Sequence, residues 1–130
     1  MASKRVIKTD KAPNPVGPYN QAIAATGEMI FASGQIAIDP STNTLAHEGD
    51  VEKQTALVMS NLAAVLAAAG ATFADVVKTT IFLADMTDFG AVNGVYAQSF
   101  DEATAPARAT VQVARLPKDV LVEIDCVAVI

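Results

Sequence analysis

The 130-residue chain has no tryptophan, one cysteine and one histidine, and aromatic residues make up only 5% of it. A single cysteine, Cys126, excludes an intramolecular disulfide and fits a reducing compartment. With Cys126 and His47 each alone of their kind, no zinc-type cluster can be assembled within one chain, and no metal is expected. Glycine-rich phosphate loops and a Gly-x-Ser-x-Gly elbow are both missing, which removes the usual nucleotide-binding and serine-hydrolase readings. Positive charge is scarce: 9 Lys and Arg stand against 14 Asp and Glu, net -5, and no basic run is longer than Lys4-Arg5. That balance repels phosphate backbones, so no nucleic-acid partner is expected. The longest apolar run, residues 62–69, is far too short to span a bilayer, and no apolar stretch follows Lys4-Arg5 as a secretory leader would require. The expectation is a cytoplasmic protein without membrane contact.

What is present reads as a globular sequence, 52% hydrophobic and 18% charged, with no repeat, linker or low-complexity tract. One domain over residues 1–130 is expected, burying about two-thirds of its unfolded surface. Pro13, Pro15, Gly17 and Pro18 mark residues 10–20 as a loop. Short apolar segments at 22–25 and 29–35 around Thr26-Gly27-Glu28 predict a hairpin, and residues 39–43 a turn before a short strand at 44–46. Asp50 is placed to cap a helix over 51–69, with Val51, Val58, Leu62, Val65, Leu66 and Ala69 on one stripe and Gly70 as its stop. Residues 76–83 are rich in β-branched types and predict a strand. A second helix is expected from Thr87 or Asp88 to Phe100, with Phe89, Val92, Tyr96 and Phe100 on one face; strands at 109–113 and 120–129 follow. The order predicts an α+β architecture, a sheet with two helices packed on one face.

In the last strand Val120, Val122, Ile124, Cys126, Ala128 and Ile130 alternate onto one apolar face, the natural floor for the helices, while Glu123 and Asp125 point the other way. Arg108, Thr110 and Gln112 alternate likewise on the strand before it. A hairpin turning at Pro117-Lys118 would bring Thr110 and Gln112 beside Asp125 and Glu123, on the face away from the helices. That face also carries Leu121, Val127 and Val129, and a second copy of the chain is the simple way to cover it. A cleft between copies holding one guanidinium, carboxylates and hydroxyls suits a small carboxylate ligand. Plainer roles stand beside these: a structural ion pair for Arg108 and Glu123, a sheet or interface polar group for Asp125, a strand former for Thr110, loop packing for Tyr19, a solvated or capping Asn93, and an inert core thiol for Cys126.

Over essentially its whole length the chain resembles the RidA/YjgF family of reactive-intermediate deaminases. The segments that carry the resemblance are Ala12-Pro13 with Gly17-Pro18-Tyr19, Ser33-Gly34-Gln35, Val77-Lys78-Thr79-Thr80, Asp88-Phe89 with Val92-Asn93 and Tyr96, Pro106-Ala107-Arg108, Val113 to Lys118, and Val122-Glu123-Ile124. The resemblance implies a chorismate-mutase-like α+β fold and a homotrimer whose sheets line a central β-barrel, with sites between subunits. It implies that Arg108 binds a substrate carboxylate, that Glu123 positions or activates water, and that Tyr19, Ser33, Gly34 and Asn93 line the pocket. Many bacterial members have cysteine where this chain has Thr110, so a thiol role is lost there while water positioning by a hydroxyl survives. The implied reaction is hydrolysis of small 2-enamino or 2-imino acids, such as 2-aminoacrylate and 2-iminobutanoate, to 2-keto acids and ammonia, with no cofactor. The alternatives are a non-catalytic small-carboxylate-binding or chaperone-like protein, and an RNA-cleaving role attached to relatives, against which the acidic balance and single histidine count.

Overall fold

The computed structural model describes residues 2–130. Its long helix, α1 (Val51–Ala68), begins where Asp50 accepts a 3.0 Å hydrogen bond from the Lys53 amide. It ends in a Schellman turn: Gly70, at φ +80°, donates to Ala67, and Ala71 donates to Leu66. The buried stripe runs through Thr55, Val58, Met59, Leu62 and Leu66, while Val65, expected on it, lies outward and 39% exposed. Helix α2 (Phe89–Tyr96) is shorter than expected, because tighter 3-10 turns at Met86–Asp88 and Ala97–Ser99 take over at both ends. Both helices pack together over one face of a four-stranded sheet.

That sheet has the order β3 (Met29–Gln35), β8 (Val122–Val129), β6 (Val76–Leu83), β7 (Ala107–Gln112). β8 runs antiparallel to both β3 and β6, and β7 runs parallel to β6. Two short antiparallel ribbons accompany it, β1 (Ser3–Ile7) with β2 (Ala22–Thr26) and β4 (Ile38–Asp39) with β5 (Thr44–Leu45).

Two expected pairings are corrected. β2 and β3 do not form a hairpin. β2 pairs with β1, a strand not anticipated, and the turn at Gly27 (φ +142°) is locked to the C-terminus by reciprocal bonds between Glu28 and Ile130. Nor do β7 and β8 form a hairpin at Pro117-Lys118, because β6 lies between them. Crossing through α2 returns the chain parallel to β6, as parallel pairing requires.

Register fixes which side chains share a face. Thr79, Ile81 and Leu83 of β6 stand opposite Cys126, Ile124 and Val122 of β8 and opposite Arg108, Thr110 and Gln112 of β7. The β6 and β8 residues of this set are buried beneath the helices. The reverse, open face carries Thr80 and Phe82, Asp125 and Glu123, and Ala109 and Val111 in matching register, with Val127 beside Phe31. Phe31, Met29 and Val111 there are 71%, 56% and 41% exposed.

Candidate active site

Arg108 projects from β7, which is paired on one side only, into the space beneath α2. Its Nη1 donates a 2.6 Å hydrogen bond to Oδ1 of Asn93. The guanidinium carbon lies 5.1 Å from the ring centre of Tyr96, 5.3 Å from Tyr19 and 5.7 Å from Phe89, so three aromatic rings surround the cation. Among the described residues it has no carboxylate partner; the ion pair present is the exposed Arg115–Asp119 pair. Burial lowers the Arg108 pKa, opposed by the neighbouring Tyr96 and Tyr19, yet a guanidinium remains charged under any ordinary condition. Partly desolvated, charged and without a carboxylate partner, it has the chemistry to accept an anion.

The side chains beneath Arg108 are buried and hydrogen-bonded to each other. Tyr96 is fully buried, and its hydroxyl shares a 2.8 Å hydrogen bond with the buried Thr79, the residue opposite Arg108 in register. Burial pushes the Tyr96 phenol up to about 12. Two residues further along β7, Thr110 has its hydroxyl oxygen buried and without a hydrogen-bond partner. An orphaned buried hydroxyl is uncommon and marks a place where a bound molecule could complete the bonding. Gln112, next on that face, is spent on structure: its Oε1 accepts from the Met86 amide.

A second group of candidates forms on the open face. The β3–β8 register shifts between Ala32 and Gln35, so Ser33 and Gly34 sit exposed at a bulge. Glu123 lies over that bulge, and a β-carbon on Gly34 would come within 2.5 Å of its Oε2. The Glu123 carboxylate has no hydrogen-bond or ion-pair partner among the described residues.

Sequence reasoning put Arg108, Thr110 and Gln112 on one sheet face with Glu123 and Asp125, and the register corrects this. Tyr19, Asn93, Arg108 and Thr110 belong to the helix side of the sheet, whereas Ser33, Gly34 and Glu123 belong to the reverse side. The assumed β7–β8 hairpin caused the error, and an Arg108–Glu123 ion pair within one chain is not formed. Phe89 and Tyr96 enter the sequence reading only as part of one helix face and of the family resemblance, with no site role. Their spacing with Asn93, i, i+4 and i+7, already placed all three on one side of α2 and was the signal for the guanidinium's surroundings.

Other features are less relevant to chemistry. Cys126 is buried and its thiol is raised to about 11, so it is protonated and inert. His47 is exposed on the turn before α1. No three His, Cys, Asp or Glu side chains converge to hold a metal among the described residues. A cleft of about 830 Å³ opens between the N-terminal loop and residues 101–103, and Tyr19 is the one candidate side chain lining it.

Comparisons with known proteins bear on the family and the fold. The family model described as Endoribonuclease L-PSP matches residues 9–130. A RutC family protein of Synechocystis is 64% identical over 126 residues, covering 97% of this chain and 96% of its own. An Escherichia coli relative named "Putative reactive intermediate deaminase TdcF" is 46% identical over 128 residues, covering 97% of each. The crystal structure of E. coli TdcF with bound serine superposes with TM-score 0.72 at 44% identity, covering 97% of this chain and 98% of that one. RidA from an Antarctic Psychrobacter superposes with TM-score 0.75 at 43% identity, covering 97% and 99%. Both neighbours support the α+β arrangement of two helices over a mixed sheet. The chain belongs to the Rid family, RidA/YjgF, whose family model is described as Endoribonuclease L-PSP.

Proposed function

We propose that this protein hydrolyses small 2-imino and 2-enamino acids of the 2-aminoacrylate and 2-iminobutanoate type, as a cytoplasmic homotrimer whose sheets line a central barrel. The carrying observation is the unpaired Arg108 guanidinium held beneath α2 by Asn93 and three rings. Support also comes from a relative named as a reactive intermediate deaminase and from a solved relative that holds serine, a small molecule with a carboxylate. Among the described residues no helix is long and apolar enough to cross a membrane.

Assembly supplies what one chain separates. Phe31, Met29 and Val111 leave an apolar open face next to Glu123, and a second copy covering it could bring Glu123, Ser33 and Gly34 to a neighbour's Arg108, Thr110, Asn93 and Tyr19.

In that composite cleft Arg108 grips the substrate carboxylate and fixes the imine carbon. A water molecule held by Glu123 and the Thr110 hydroxyl adds its oxygen to that carbon. Its proton passes to Glu123, and the C=N π electrons move onto nitrogen, which takes up a proton from solvent. The resulting carbinolamine collapses: the C–N bond breaks as C=O forms, Glu123 returns its proton to the departing nitrogen, and the hydroxyl proton passes to the carboxylate and on to solvent, replacing the one nitrogen took up. Imine and water become 2-keto acid and ammonia, with no net change in charge. The substrate is already electrophilic, so orienting one water accounts for the catalysis and no cofactor enters.

The exposed Phe31–Met29 patch also suits a chaperone-like or carboxylate-binding protein without turnover. Generating imines in situ with an amino-acid oxidase and following keto-acid release separates the two. Faster release with the wild-type protein, absent with Arg108→Ala, supports the deaminase, whereas no acceleration supports the binder.

A further inference from the structure

Gly17 is a glycine whose backbone does not ask for one. Its φ is not in the left-handed region, in contrast to Gly27, Gly49 and Gly70. What it faces is specific. A β-carbon there would lie 3.2 Å from Nη2 of Arg108 and 3.8 Å from Nδ2 of Asn93, with no further contact within 4 Å.

Both of those atoms are N–H donors. Asn93 turns its oxygen to Arg108 Nη1, and a nitrogen in that place would set donor against donor, so its Nδ2 is left facing Gly17. Neither Nη2 nor Nδ2 has an acceptor among the described residues. The loop cannot simply drift aside, because Tyr19 anchors it. The Tyr19 amide donates 2.8 Å to the Gly17 carbonyl, its hydroxyl accepts from the Val16 amide at 3.2 Å, and its ring lies against the guanidinium.

We propose that Gly17 is a positioning residue of the carboxylate pocket, its missing side chain keeping open a notch in which one carboxylate is shared between Arg108 Nη2 and Asn93 Nδ2. This rests on the carboxylate-binding reading of Arg108 given above. A methyl group at Gly17 would crowd Nη2 and shield both donors from the incoming anion, without touching the groups that handle water.

The test uses the whole protein and pyruvate, a 2-keto acid of the product class, as an inert probe. Calorimetric titration is run on wild type, Gly17→Ala, Arg108→Ala and the double variant, beside steady-state kinetics on imine generated in situ. Gly17→Ala is expected to weaken pyruvate and raise KM about tenfold, as for the loss of one charge-assisted hydrogen bond, with kcat within about twofold. In the Arg108→Ala background it is expected to add nothing to the loss. Unchanged pyruvate affinity in Gly17→Ala, where Arg108→Ala weakens it, overturns the role of Gly17 and leaves the carboxylate reading standing. Unchanged affinity in Arg108→Ala overturns that reading and this one together. A fall in kcat with KM unmoved also overturns the proposal. If Gly17→Ala unfolds, the double variant decides: folding there shows that the methyl clashes with the guanidinium, and unfolding there assigns the glycine to the backbone and ends the proposal.

Discussion

The Glu123 carboxylate rests so closely on Gly34 that a single added methyl group would meet Oε2 at 2.5 Å. Gly34 is exposed at a bulge and its φ is not left-handed, so alanine there is tolerated by the backbone and resisted first by the Glu123 side chain. Gly34→Ala is expected to keep fold and assembly while lowering kcat about tenfold or more, with pyruvate affinity close to wild type. Equal losses in kcat and binding would show that the bulge, rather than the placement of Glu123, had been damaged.

Assembly is read out at Phe31, a phenylalanine 71% exposed on the open face. Burying such a ring contributes about 1.5–3 kcal/mol, and a carboxylate in its place would oppose burial at every contact. Phe31→Asp is expected to give monomers by light scattering at micromolar concentration, and to abolish turnover although it touches no substrate. A stable wild-type monomer would contradict both the trimer and the shared cleft.

Thr110 should separate activity from stability. Its hydroxyl is buried without a partner, so Thr110→Val removes an unsatisfied group and is expected to hold or raise Tm while turnover falls and pyruvate binding persists. Thr110→Cys should retain turnover. A lower Tm with unchanged kinetics would make Thr110 merely structural.

A fourth expectation concerns alkaline pH. The Tyr96 phenol rises from its ordinary 10.0 to about 12 on folding, so between those values the folded chain holds a proton that the unfolded chain has lost. The stabilisation is complete below pH 10 and falls as pH rises toward 12. Tyr96→Phe should flatten denaturation midpoints across that window. It should also cost about 1–2 kcal/mol near neutrality, because the Thr79 hydroxyl loses its buried partner. An unaltered pH slope would place the alkaline transition elsewhere.

Periodicity exposed much of this fold and little of its neighbour relations. The strand at Val76–Leu83, the Asp50 cap and the Gly70 stop follow from local chemistry and stand as expected. Alternation also grouped Arg108 with Thr110 and Gln112 correctly. It could not say which side of the sheet they occupy, because β7 has no continuous apolar row to bury and its partner is set by the crossover through α2. β8, with Val122, Ile124, Cys126 and Ala128 all buried, left no such ambiguity. Placing Arg108 and Glu123 apart is thus a topological fact, and it gives assembly a direct part in the proposed chemistry.

Arg108→Ala tests the central claim most directly. A charge-assisted, two-pronged grip on a carboxylate contributes on the order of a few kcal/mol, so its loss should lower kcat/KM for imine hydrolysis at least about a hundredfold. Arg108→Lys, which keeps the charge without the fork, should restore little. The measurement is keto-acid release from imine generated in situ, with light scattering and circular dichroism on the same samples. Loss of turnover in a folded, assembled Arg108→Ala protein is the expected result; normal turnover in that protein would contradict the account.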